Sequence, residues 1–180
     1  MEIDKDTTVA FTGYRLSKLL RGGDMSALES IAGECRLRLE QLYADGYRCF
    51  LSGMSSGFDL IAAEQVLLLK RRQKGVRLVA VVPFVGQESG YSAEDRSVYE
   101  RVLSHSDEVV VLHEAYQGNF QYLKRNDYLL DHASALLCYY DGQRGGTMYT
   151  YNRAVARSMR VVNICSHEQL LIPDLFHQLI

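Results

Sequence analysis

Apolar residues at Leu28, Ile31, Ala32, Cys35, Leu39 and Leu42 fall at three- and four-residue steps, and this spacing predicts a helix from about Met25 to Ala44 that packs one stripe on a sheet. Gly46 stops it. A β-rich run, Thr7 to Phe11, precedes that helix, and a second, Tyr47 to Leu51, follows it. A Gly/Ser turn then opens into a helix from about Phe58 to Arg72, and Leu78 to Val82 is a continuous apolar run, the pattern of a strand covered on both faces. Ser92-x-x-Asp95 is a helix start for Ala93 to Leu103. Strand Glu108 to Leu112, helix Phe120 to His132, strand Ala135 to Tyr140, helix Thr147 to Met159 and strand Arg160 to Ile164 complete the pattern. Strand and helix alternate throughout, which predicts an α/β fold: a three-layer α/β/α sandwich with a mostly parallel sheet and right-handed crossovers.

Length changes this picture little. A chain of 180 residues with 47% apolar content suits one domain, residues 1–180, with a well-formed core. Charge narrows the partners: 20 basic and 22 acidic residues are interspersed, so there is no broad positive surface for duplex nucleic acid or acidic membranes, and a polyanion must be met locally. Cys35, Cys49, Cys138 and Cys165 lie far apart in apolar stretches and form no C-x-x-C pair, as expected of buried thiols in a reducing compartment. The N-terminus has no signal-peptide pattern and no apolar run reaches spanning length, which points to the cytoplasm. Association with a second copy is compatible with this composition.

In a parallel sheet, ligands bind outside the carboxyl ends of the strands, so the loops that follow strands carry the candidate chemistry. After the first strand comes Thr12-Gly13-Tyr14-Arg15, and after the second the turn Gly53-Met-Ser55-Ser56-Gly57. That turn has the layout of an anion site: Gly53 and Gly57 allow unusual backbone angles, the Ser55 and Ser56 hydroxyls can donate, and Asp59 stands at the helix start behind them. The same turn could equally be a plain strand-to-helix connection, since its spacing matches neither common phosphate-loop pattern. Pro83-Phe84 follows the third strand, His113 to Asn119 the fourth, and Arg144-Gly145-Gly146-Thr147 the fifth. Arg15 and Arg125 are candidates to grip phosphate oxygens and Tyr14 to stack on a base, although each also has an ordinary surface or core reading.

These residues carry a resemblance. Ser52-Gly-Met-Ser-Ser-Gly-Phe-Asp-Leu-Ile-Ala-Ala-Glu64 is similar to the Gly-x-Asp turn and helix of the SLOG superfamily, which groups the DNA-processing protein DprA, the LOG cytokinin-activating enzymes and YpsA-like proteins. Thr12-Gly-Tyr-Arg15, Pro83-Phe84, Lys124-Arg-Asn126 and Ala135-Leu-Leu-Cys-Tyr-Tyr-Asp-Gly142 most resemble the YpsA-like family, whose function is unknown. The resemblance implies a Rossmann-like fold and a nucleotide-derived ligand, ADP-ribose-like or dinucleotide, at Gly13, Tyr14, Arg15, Gly53, Ser55, Ser56, Gly57, Asp59, Arg125, Asn126, Gly145, Gly146 and Thr147.

LOG enzymes place an arginine in the helix before the fifth strand and a Gly-Gly-x-Gly-Thr-x-x-Glu turn after it. Arg125 is the counterpart of the arginine here, but the position three after Thr147 is Thr150. A threonine cannot supply the carboxylate's proton transfer, so phosphoribohydrolase activity is the alternative to ligand binding, with Asp59, Glu64 and Arg125 as its weak catalytic candidates. Single-stranded DNA binding of the DprA type ranks third, for want of net positive charge. No metal is assigned, because the five histidines show no ligand spacing, and no cofactor is required by the sequence. Ser52 to Ser56 has no identifiable base partner in the sequence, which argues against a serine hydrolase.

Overall fold

The computed structural model describes residues 3–20 and 25–165. Six strands form one sheet: β1 (Thr8–Thr12), β2 (Cys49–Ser52), β3 (Arg77–Val82), β4 (Glu108–Val111), β5 (Ala135–Cys138) and β6 (Arg160–Asn163). Their order is β4-β3-β2-β1-β5-β6, and every neighbouring pair is parallel. The chain lays down β1 to β4 in one direction, then returns to place β5 on the free side of β1. The loops leaving β1 and β5 therefore diverge, which opens the crevice typical of a topological switch point.

The connecting helices are α1 (Leu16–Leu19), α2 (Ser26–Ala44), α3 (Phe58–Arg72), α4 (Ala93–His105), α5 (Phe120–Asp131) and α6 (Gly146–Ala156), with short 3₁₀ turns at Lys5–Thr7 and Gln87–Gly90. Periodicity places α2 correctly: Ile31, Cys35, Leu39 and Leu42 are its buried residues. α3 has the bounds that the sequence predicts and buries Phe58, Leu60, Ala62, Ala63, Val66 and Leu69, each large side chain contributing about 1.5–3 kcal/mol. β1, β2 and β5 are buried along their whole length, as strands covered on both faces must be. The architecture is thus the Rossmann-like three-layer sandwich, with its described sheet wholly rather than mostly parallel.

Several boundaries differ from expectation by one to three residues. The fifth strand ends at Cys138 and α6 stops at Ala156, where Arg157 to Met159 turn back on the helix end. The short helix α1 has no periodic signal at all. All four cysteines are buried and none is in a disulfide. No described helix is long and apolar enough to cross a membrane. The predicted extent of the domain, 1–180, runs past the described residues at 166–180.

Candidate ligand-binding cleft

A cleft of about 840 Å³ opens at the β1/β5 switch point. Its walls include Gly13, Tyr14, Arg15, Ser55, Asp59, Arg125, Asn126, Gly145, Gly146 and Thr147, which lie on four separate segments of the sequence. Ser17 and Lys18 of α1, Arg144, and the stretch Asn119, Phe120, Tyr122 and Leu123 at the start of α5 also line it. Arg144 could have been found from its own loop, since it precedes the two glycines. The α5 residues carry no local motif and are brought in only by the fold.

The Gly/Ser turn is a wall held from within. Phe58 N–H, at the start of α3, donates to the Tyr14 carbonyl at 3.0 Å, so the first donor of that helix is already occupied. A Cβ on Gly57 would run into the backbone of residues 14–16, at 2.5 Å from the Leu16 nitrogen, and one on Gly13 would meet Phe58 at the same distance. These two glycines thus let the β1 loop and the start of α3 interlock; the close approach they permit is chain to chain. Gly53, Ser56 and Gly57 do not line the cleft. Ser56 donates to Asp95 at the start of α4, and a Cβ on Gly53 would collide with the Arg125 guanidinium.

Arg125 is 5% exposed and fully engaged with the chain itself. Its Nη1 donates to the Gly53 carbonyl, its Nη2 to Ser55 Oγ at 3.1 Å and its Nε to Asn126 Oδ1 at 2.8 Å. Asp59 Oδ2 lies 3.7 Å from Nη1 and accepts from Ser55 N–H at 3.3 Å. Burial lifts the Asp59 carboxyl above its ordinary range, against the pull of Arg125 and the Ser55 N–H, and burial also lowers the Arg125 pKa. The arginine expected to grip phosphate is therefore a largely buried strut in the cleft wall, its donors taken by the chain.

Tyr14 likewise serves the scaffold. It is 5% exposed, its hydroxyl donates to Asp141, and Lys18 Nζ sits 3.4 Å from its ring centroid. A base has no open face of it to stack on. Burial, then the Asp141 hydrogen bond, push its phenol well above the usual value. Glu64 lies outside the cleft, paired with Arg101 in a separate groove between α3 and α4. Thr150 is fully buried on α6, with its hydroxyl bonded back to the Gly146 carbonyl at 3.0 Å.

What the cleft offers an anion lies on the other wall. α6 begins at Gly146 behind Gly145, whose φ of 148° suits glycine, and no described atom lies within 4 Å of where a Cβ would stand on either residue. No described acceptor takes the N–H groups of Gly146 or Thr147, so the positive end of this helix faces open space. Arg144 and Arg15 are exposed and form no ion pair among the described residues; the Arg15 guanidinium rests 5.1 Å from the Tyr122 ring centroid. Phe120 and Leu123, 45% and 39% exposed, give the cleft an apolar shelf.

Fold and cleft together define a Rossmann-like α/β domain with its crevice at the switch point. The chain belongs to the YspA SLOG family (YpsA), whose model matches residues 9–166. It is 29% identical over 141 residues to a UPF0398 protein of Bacillus pumilus (strain SAFR-032), covering 77% of this chain and 76% of that one. A UPF0398 protein of Staphylococcus aureus (strain JH9) is 27% identical over 139 residues, covering 76% and 74%. Among solved structures, DNA processing protein A (DprA) from Streptococcus pneumoniae superposes with a TM-score of 0.58 at 17% identity, over 87% of this chain and 49% of that one. DprA from Helicobacter pylori, described for its single-stranded DNA binding mode, gives 0.61 at 15%, over 89% and 66%. The chain thus spans half to two thirds of those proteins, and the likeness is one of fold.

Proposed function

We propose that this protein binds a nucleotide-derived small molecule, an ADP-ribose-like or dinucleotide ligand, with a phosphate seated on the start of α6. The observation that supports this reading is the pairing of unoccupied N–H groups at Gly146 and Thr147 with the exposed Arg144 and Arg15 on one cleft. Backbone donors, helix dipole and guanidinium forks converge there on a single anion. The apolar shelf of Phe120 and Leu123 gives a base a surface to lie on, and about 840 Å³ leaves room for more than one ring system.

Binding without turnover is favoured over glycosidic cleavage by the position of the carboxylates. Among the described residues that line the cleft Asp59 is the one carboxylate, with its Oδ2 held by Arg125 and Ser55, while Glu64 and residue 150 stand elsewhere. Single-stranded DNA, suggested by the likeness to DprA, is the other anion of the right chemistry. A net charge of -2 over the chain favours a small ligand over a strand.

Thermal shift and calorimetry with AMP, ADP-ribose, NAD, adenosine and a short oligo-dT test the reading, because a ligand of the native state alone raises its apparent stability. At least one phosphorylated adenosine compound is expected to raise the midpoint far more than adenosine does, with no free adenine released. Stabilisation by oligo-dT alone, or by none of the compounds, would overturn it.

A further inference from the structure

We propose that Asp59 is the group that reads the sugar of the bound molecule, and that the cleft therefore selects ribonucleotide-derived ligands, with their vicinal hydroxyls, over deoxyribose ones. This rests on the nucleotide reading above and adds the substrate class to it.

The carboxylate of Asp59 is 5% exposed and asymmetric in its bonding. Oδ2 accepts from the Ser55 N–H and faces Arg125, whereas Oδ1 has no hydrogen-bond partner among the described residues. Leaving an oxygen of a buried carboxylate unpaired is costly unless a donor arrives. The sealed side-chain atoms without a partner, among the described residues, are Arg77 Nε and Gln87 Oε1. Asp59 Oδ1 is not one of them, and the residue lines the cleft, so this oxygen is reached from the cleft itself.

The surrounding bonds fix where it points. Ser52 Oγ donates to the Asp59 carbonyl at 3.1 Å and accepts from Met54 N–H at 3.1 Å, which pins the helix start to the end of β2. Arg125 and Gln87 both donate to the Gly53 carbonyl, so the turn cannot swing the carboxylate away. Such a group is a preorganised acceptor. A phosphate is repelled by it and a base edge offers it only amino groups, whereas a ribose presents two hydroxyl donors between base and phosphate. The phosphate pole at α6 and the shelf on α5 lie on the same cleft as Asp59, which suits the sugar's place between them.

The test compares AMP and ADP-ribose with their 2′-deoxy and 3′-deoxy counterparts, on the adenosine side, by calorimetry on the intact wild-type protein. Loss of one hydroxyl is expected to weaken binding roughly 10- to 150-fold, the range for a hydrogen bond to a charged group. Asp59→Asn should bring the ribonucleotide close to its deoxy analogue. If that variant does not fold, the wild-type comparison decides alone. Ribo and deoxy ligands binding equally well would overturn the assignment of Asp59 and leave the nucleotide reading standing. Binding of neither AMP nor ADP-ribose would overturn the assignment too, and NAD would then decide the nucleotide reading on its own.

Discussion

The hydroxyl of Thr147 donates to the carbonyl oxygen of Gly13 across 3.0 Å and so ties the loop after β5 to the loop after β1, at the point where the strand order reverses. The Tyr14 hydroxyl, donating to Asp141, joins the same two loops a second time. Thr147→Val keeps the shape but leaves the part-buried Gly13 carbonyl without that donor. A loss of about 1 kcal/mol in denaturant stability is expected, with no change in the slope of the transition. Unaltered stability would mean that water replaces the hydroxyl at no cost.

Gly57 gives a sharper contrast. Its φ is +100°, and an added Cβ would meet backbone, which cannot swing aside as a side chain can. Gly86 has the same backbone hand, φ +84°, but no atom within 4 Å of the added carbon. Gly86→Ala should therefore cost about 1 kcal/mol from backbone strain alone, and Gly57→Ala at least about 3 kcal/mol or failure to fold. Chemical denaturation of the two variants checks this. Equal effects would show that strain, not contact, governs Gly57.

The two arginines separate support from recognition. Arg125→Ala removes three hydrogen bonds and leaves the buried Asp59 without its ion-pair partner, a change expected to cost about 3–5 kcal/mol. Arg144→Ala, on an exposed residue, should leave stability within about 0.5 kcal/mol and weaken a phosphorylated ligand by about 1.5–3 kcal/mol. Adenosine should bind either form of residue 144 alike. A stable Arg125→Ala protein that has lost only ligand affinity would reverse these roles.

How much of this the sequence carries depends on the range of the contacts. The α3 bounds are legible because Gly57 breaks the chain just before an apolar-periodic run and a basic cluster, Lys70 to Arg72, closes it. The strand-and-helix alternation yields the layers for the same reason. The role of the Gly/Ser turn is not legible, since its controlling contact joins Gly53 to a residue 72 positions away, and local chemistry reads as an open anion site until Arg125 is seen to fill it. The anion pole at α6 is read only in part: Gly145, Gly146 and Thr147 are visible as a loop, but the open space around the glycines belongs to the fold.

Alkaline pH should loosen the fold in a defined window. Burial pushes the Cys35 thiol from 9.0 up to about 12 and the Tyr91 phenol from 10.0 up to about 12, the latter also donating to the Met54 carbonyl at 2.9 Å. The unfolded chain releases these protons first, so above about pH 9 it holds fewer of them than the folded chain. Stability is therefore full below that value and falls as pH rises toward 12. Tyr91→Phe should make the fall shallower between pH 10 and 12 in denaturation curves followed by circular dichroism. An unchanged slope would exclude Tyr91 as a source.

Residue 150 decides whether LOG-type chemistry can be installed by a single change. In those enzymes a glutamate three residues after the threonine of the glycine turn assists base release, and here that position is Thr150, fully buried, with its hydroxyl turned back to the Gly146 carbonyl. A glutamate at this place must put a larger, ionisable group into packed space on the inner side of α6. It either drives the helix off the sheet or stays protonated, since an unpaired buried carboxylate shifts its pKa upward to avoid its charge. In neither case does a carboxylate reach a sugar in the cleft. Thr150→Glu is therefore expected to lower stability by several kcal/mol, about 3 or more, and to release no adenine from AMP. Thr150→Val, which removes only the hydroxyl that bonds within the helix, should change stability by less than about 1 kcal/mol. Denaturation curves and chromatographic detection of free base read both effects. A folded Thr150→Glu protein that releases adenine would show that α6 turns this position outward, and would move the protein from the binding reading to that of a hydrolase lacking one group.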